Sequence, residues 1–261
     1  MKILVLLLAL AGLHAQAFTP KKVVTFSDKT ELMNAGRPMR TLPAATSLKL
    51  LQETQRKTTK MGIEAPLFEV ETKIDKKKAT GLVWGGDLPI ASLDLPGKDV
   101  LMVAPVQFEL VSDTPRWTGE ARVFKGKQVL ARLSFDMLSS SLAPSPSYIY
   151  DARLKVLKDR PFGAHTVALG LRQNYSACDF PAGDSIFIWD GKKLILGPNV
   201  QVANSADYAV EMSYKYLWKP NCLQVQYTRV PKKGEEGKVE VTDHFHAWDG
   251  TKFTKAEKCP N

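Results

Sequence analysis

Long apolar runs are scarce in this chain of 261 residues. Beyond Ile3–Leu13 no stretch approaches the roughly 20 apolar residues that a membrane-spanning helix requires, so no transmembrane segment is expected. Helix-period patterns are also missing outside that run, which excludes helical bundles and alternating α/β folds. Cysteine is sparse, at three residues, and histidine nearly so, at four. The chain has no His-Glu-x-x-His, no Gly-x-Ser-x-Gly, no Ser-x-x-Lys and no phosphate-cradling loop ending in Gly-Lys-Ser/Thr. The commonest zinc-peptidase, esterase and nucleotide-hydrolase chemistries therefore have no foothold, and no catalytic residue, metal or cofactor is expected.

What is present begins with a leader. Lys2 supplies a charge, Ile3–Leu13 an apolar core, and Ala15-Gln16-Ala17 the small-x-small pattern of a cleavage site. Residues 1–17 are thus expected to be a signal peptide, and the mature chain to be exported, periplasmic or secreted. The chain carries 36 Lys and Arg against 27 Asp and Glu, or +9 in all. Such a surplus attracts polyanions, although the basic residues are scattered among acids. Lys76-Lys77-Lys78 and Lys232–Lys238 read as solvated loop tips. Export argues against nucleic acid as a partner.

From Gly36 to Leu95 short apolar runs alternate with turns. Leu48–Leu51, Leu67–Thr72 and Gly81–Trp84 read as strands, Gln52–Lys60 as a hairpin or loop, and residues 18–36 as a poorly determined lead-in. After Leu95–Lys98, which reads as a linker, the pattern lengthens. Val100–Val103 is a buried-type run. Trp117–Phe124 and Gln128–Phe135 flank Lys125-Gly126-Lys127, a hairpin signal. A Ser/Pro-rich loop at Ser139–Ser147 precedes a further series of strands running to Phe245. The expected fold class is all-β.

One echo recurs. Phe187-Ile188-Trp189-Asp190-Gly191 and Phe245-His246-Ala247-Trp248-Asp249-Gly250 both end an apolar strand in Trp-Asp-Gly. Asp-Gly suits a tight two-residue turn, and the Trp covers the hairpin end. The alternative is a pair of exposed indoles gripping a sugar or peptide.

Few residues carry candidate chemistry. In an oxidising compartment two of Cys178, Cys222 and Cys259 should pair. Cys178 with Cys222 is the expected bridge, since both lie in the strand-rich C-terminal region. His244 and His246 alternate on a strand and share a face, but no third ligand is near. With Phe245 turned inward, the two histidines form the solvent face. An acid pair drawn from Asp184, Asp190 and Asp249 is the alternative site. It would make the protein a cell-wall or glycan hydrolase, although Asp190 and Asp249 read better as turn residues.

Met39-Arg40-Thr41-Leu42-Pro43, the strand Phe68-Glu69-Val70 and the close Thr80-Gly81-Leu82-Val83-Trp84-Gly85-Gly86-Asp87-Leu88 together resemble a bacterial SH3-like domain. Residues 36–95 are accordingly expected to form a small SH3-like barrel, followed by a larger antiparallel β domain of hairpins over residues 99–256. The later segment Ala177-Cys178-Asp179-Phe180-Pro181 and the two Trp-Asp-Gly hairpins resemble the C-terminal half of exported bacterial proteins that carry such a module. The resemblance implies a non-catalytic adaptor that binds a cell-wall component or an envelope protein. Arg40, Phe68 and Trp84 are the candidate binding face, with a core position as the alternative for Trp84.

Overall fold

The computed structural model describes residues 21–34, 36–112, 114–137, 152–173, 181–203, 210–231 and 236–260. The leader, the Ser139–Ser147 loop and Cys178 lie outside the described residues.

The first sheet contains β1 (Lys21–Val24), β2 (Thr30–Asn34), β3 (Arg37–Leu42), β4 (Ser47–Lys60), β5 (Ile63–Ile74) and β6 (Lys77–Trp84), in the order β1-β4-β5-β6-β2-β3. Three four-stranded meanders follow among the described residues. The second sheet holds β7 (Ala91–Asp94), β8 (Asp99–Val111), β9 (Thr114–Lys125) and β10 (Gln128–Asp136). The third holds β11 (Arg153–Asp159), β12 (Val167–Gln173), β13 (Pro181–Trp189) and β14 (Leu194–Ala203). The fourth holds β15 (Val210–Lys219), β16 (Cys222–Pro231), β17 (Glu240–Trp248) and β18 (Phe253–Ala256). The chain is all-β and antiparallel, and among the described residues no sheet closes into a barrel. An open six-stranded sheet stands where the barrel was expected. No helix of the described residues is long and apolar enough to cross a membrane.

Side-chain alternation explains why the sheets stack. On β8, Leu101 and Val103 point into the largest core cluster, while Met102 and Ala104 point the other way, onto Phe26 and Ala44. On β13, Phe187 and Trp189 join the same large cluster, whereas Ile186 and Ile188 face the fourth sheet. A sheet buried on both faces needs continuous apolar runs, which is the pattern at Val100–Val103 and Phe187–Trp189. The second and third sheets thus enclose the main core, and the fourth covers the far side of the third with Leu223, Val225 and Trp248.

Gln52–Lys60, expected as a hairpin or loop, is one strand of a hairpin, and the lead-in contains ordered strands. Gln52–Lys60 belongs to β4 and pairs with β5 across the turn Met61-Gly62. Its lack of an apolar face reflects an arm that is mostly exposed, not an absence of pairing. The lead-in carries β1 and β2, which are held by Thr25 and Phe26 through backbone bonds to Thr46 and Asp87. Leu95–Lys98 forms the turn between β7 and β8, closed by Leu95 N–H to Asp99 O at 2.8 Å. The main core draws on both sides of that turn, from Ile63, Leu67 and Trp84 to Leu101, Val123 and Leu169.

Candidate functional site

The sequence-derived binding trio does not converge. Trp84 stands opposite Leu67 and Phe68 opposite Val83, so the two aromatics occupy opposite faces of the first sheet. Trp84 is only 6% exposed, and its indole N–H donates to the Thr58 carbonyl at 3.0 Å, with Lys60 Nζ 5.5 Å over the ring. It belongs to the core. Phe68 is half-buried against a second cluster, and Arg40 lies exposed on β3.

The acidic residues separate as well. Asp190 Oδ1 accepts the N–H groups of Lys192 and Lys193 at 2.8 and 2.6 Å, and Asp249 Oδ1 accepts those of Thr251 and Lys252 at 2.8 and 2.9 Å. Each Asp opens its turn and caps it. The positive φ falls on the following glycine, 89° at Gly191 and 96° at Gly250, not on both central residues of a two-residue turn. The preceding Trp189 and Trp248 are buried, which removes the reading of exposed indoles.

Asp184 is sealed between the third and fourth sheets, its side chain 1% exposed. Tyr216 donates its phenol to Oδ2 at 2.7 Å, Lys155 Nζ stands 3.8 Å from that oxygen, and Arg172 Nη1 lies 3.7 Å from Oδ1. Arg172 also bonds Tyr214. Burial first, and the Asp184 charge next, push both phenols above the usual tyrosine range, so they remain protonated donors. A carboxylate that a substrate cannot reach cannot transfer a proton to one. The cluster is a structural cross-tie between sheets.

The histidines face the reverse of the expected way. His244 stands opposite Val225 and His246 opposite Leu223, two fully buried residues, so the imidazoles lie on the face turned toward the third sheet, where His246 is half-buried and His244, at the rim, stays exposed as expected. Tyr227 packs on His244 at 4.9 Å, and desolvation holds the His246 pKa below its usual value. Among the described residues no three His, Cys, Asp or Glu side chains gather as a metal site. The disulfide also corrects the expected pairing: Cys222 is bonded to Cys259, not to Cys178. Cys222 begins β16 beside Ala247 of β17, and the chain after β18 returns to it.

A cleft of about 610 Å³ opens where the terminal strands of three sheets meet: β1 of the first, β7 of the second and β11 of the third. This volume lies within the range of about 300–1,000 Å³ typical of ligand pockets. Antiparallel register decides which backbone groups face it. Leu95 N–H bonds Asp99 O, so Leu93, two residues back, also faces inward to β8, and Ile90 N–H bonds Val103 O at 2.9 Å. Ser92 and Asp94 then direct their N–H and C=O outward, and both line the cleft. On β1, Thr25 N–H bonds Thr46 O, which turns Val23 toward β4 and leaves Lys22 and Val24 directed outward, again into the cleft. Val100 and Met102 supply apolar surface, and Arg153 and Leu154 of β11 complete the lining. No sequence signal marked these residues as a site. Pro89 and Pro96 flanking a four-residue strand were the nearest hint, because proline beside a strand favours a sheet edge.

No family model, curated protein or solved structure matches this chain.

Proposed function

We propose that the protein is an exported, non-catalytic binding protein that takes an extended peptide, from the cell wall or from an envelope protein, as an added strand in the β1–β7–β11 cleft. The observation that carries this reading is the pair of strand edges, at Lys22/Val24 and Ser92/Asp94, that pair with no other strand among the described residues and line one cavity. Unpaired edge groups form main-chain bonds with any extended chain, while the pockets between them select side chains. Lys22 and Arg153 against Asp94 give the lining one surplus positive charge, which favours a peptide bearing a carboxylate. The Cys222–Cys259 bridge supports export, because disulfides persist in oxidising compartments. Part of the cleft wall, β7, falls in the stretch whose motifs resemble SH3-like modules, which are generally adaptors.

The test measures binding of the mature chain to short acidic peptides and to insoluble peptidoglycan, at low and moderate salt, alongside Ser92→Pro. Proline removes the outward N–H of an edge residue without touching the ladder to β8. Expected is retention at moderate salt that Ser92→Pro weakens about tenfold, the equivalent of one lost hydrogen bond, while the melting temperature is unchanged. Retention that disappears with salt alone would assign the binding to the chain's general positive charge and overturn the reading.

A further inference from the structure

The arginines of this chain divide into two groups. Arg122 and Arg132 meet Asp28 at 3.1 and 2.7 Å, Arg116 meets Asp136 at 2.9 Å, and Arg229 meets Glu240 at 3.1 Å. Arg160 and Arg172 stand 3.6 and 3.7 Å from Asp159 and Asp184, and Arg153 is engaged as well. Among the described residues, Arg37, Arg40 and Arg56 alone have neither a carboxylate within ion-pair reach nor a hydrogen bond from the guanidinium.

The fold gathers these three. Arg37 and Arg40 lie on β3, an outer strand of the first sheet on which every residue from Arg37 to Thr41 is exposed. Arg56 lies on the exposed half of β4. The sheet curls until this half meets the β2–β3 hairpin. Lys60 bonds Glu31 at 3.0 Å, and Arg56 Nη2 comes within 3.9 Å of the point at which a Cβ on Gly36, the neighbour of Arg37, would stand. The flanking acids leave a positive surplus. Glu31 is bound to Lys60, so Glu53 is the one acid remaining on β2, β3 and β4 against three guanidiniums, and it forms no ion pair among the described residues. Each guanidinium presents a planar fork of donors that matches phosphate oxygens in pairs.

The backbone of β3 says how such an anion is met. Pro38 has no N–H, and the β2–β3 register breaks beside it, between Leu32 and Met33. Both features keep an edge from adding a strand. The contact is therefore made by side chains, which disfavours an acidic polypeptide strand here. Met39, between Arg37 and Arg40, is 50% exposed. Its thioether gains little from a soluble polyanion, whereas the boundary between headgroups and acyl chains accepts an apolar group flanked by cations.

We propose that the β3 edge is a peripheral docking surface for a bilayer of anionic phospholipid, with Arg37, Arg40 and Arg56 on the headgroup phosphates and Met39 below them. The proposal is independent of the peptide cleft, since β1 and β3 stand at opposite ends of the strand order of the first sheet.

The experiment sediments the mature chain with vesicles of phosphatidylcholine alone and of phosphatidylcholine with phosphatidylglycerol, and titrates soluble polyphosphate and polyglutamate in parallel. The variants are Arg37→Gln/Arg40→Gln/Arg56→Gln, the charge-matched Lys125→Gln/Lys127→Gln/Lys192→Gln from two exposed turns, and Met39→Ser. All these side chains are exposed, so the melting temperature is expected to hold in each. Expected is preferential binding to the phosphatidylglycerol vesicles, weakened about a hundredfold by the arginine variant. The lysine variant should change it by no more than about threefold, and Met39→Ser should weaken vesicle binding while leaving the polyphosphate affinity unchanged. Equal binding to both vesicles, equal losses in the two charge-matched variants, or no effect of Met39→Ser would overturn the proposal. Polyphosphate or polyglutamate bound as tightly as the vesicles would also overturn it, by making the partner a soluble polyanion or an acidic protein.

Discussion

Two buried charges set the residue-scale energetics of the N-terminal half. Arg122 of β9 is 8% exposed; its Nη1 donates to Phe26 O at 2.8 Å and stands 3.1 Å from Asp28, and its Nε meets Glu120 at 2.5 Å. Arg122→Ala strands Glu120 and frees the β1–β2 connection, with an expected loss of about 3 kcal/mol in denaturant unfolding. Asp87 carries the opposite kind of stress. Burial raises its pKa from 3.8 to about 6, with Lys60 and a Ser27 hydrogen bond only partly opposing this. A carboxylate whose folded pKa lies above its unfolded value favours the fold fully at low pH. That contribution fades as pH rises from about 4 through 6, by about 2–3 kcal/mol in all. Asp87→Asn should flatten unfolding free energy across that window and raise it at pH 7 by about 1–2 kcal/mol. An unchanged pH profile would remove Asp87 as the cause.

At the scale of elements, the β4–β5 arm depends on one residue without a side chain. The Gly62 φ of 76° lies in the left-handed region, and a Cβ there would sit 2.0 Å from the Phe108 carbonyl oxygen, while Met61 O accepts Phe108 N–H at 3.0 Å. Gly62→Ala should undock the arm from β8 and cost at least about 2 kcal/mol, with hydrogen exchange accelerated first at Phe108. The fourth sheet depends instead on a covalent tie. Cys222 and Cys259 are 37 residues apart, so replacing both by serine is expected to cost about 3–4 kcal/mol by the loop-entropy rule. The existence of the strands was legible in the sequence because two-residue apolar alternation is a local property. The β4 side of the arm was legible only as a hairpin or loop, since Gln52–Lys60 is mostly exposed and carries no such alternation. The orientation of β17 was missed because a half-buried aromatic, Phe245, marked the wrong face: buried Leu223 and Val225 fix the inner side from the neighbouring strand.

For the whole molecule, the decisive feature is how sheets share faces. The open first sheet and the shared main core follow from which strand ends lie side by side, and nothing local in Arg40, Phe68 or Trp84 encodes that. The cleft is a property of the same kind: its lining comes from positions 22–24, 47, 89–102 and 152–154, which only the assembled sheets bring together. Asp184 was legible as an acid but not as an interior one, because its burial depends on a fourth sheet that begins with Val210. That dependence has a temporal side. While the chain is still emerging, the third sheet presents Ala168, Ile186 and Ile188 to solvent until β15–β18 arrive to cover them. The Cys222–Cys259 bond spans β17 and β18, so it can close only once both strands have been delivered. Its formation is therefore a chemical timestamp for the moment at which a sticky intermediate has become a finished protein.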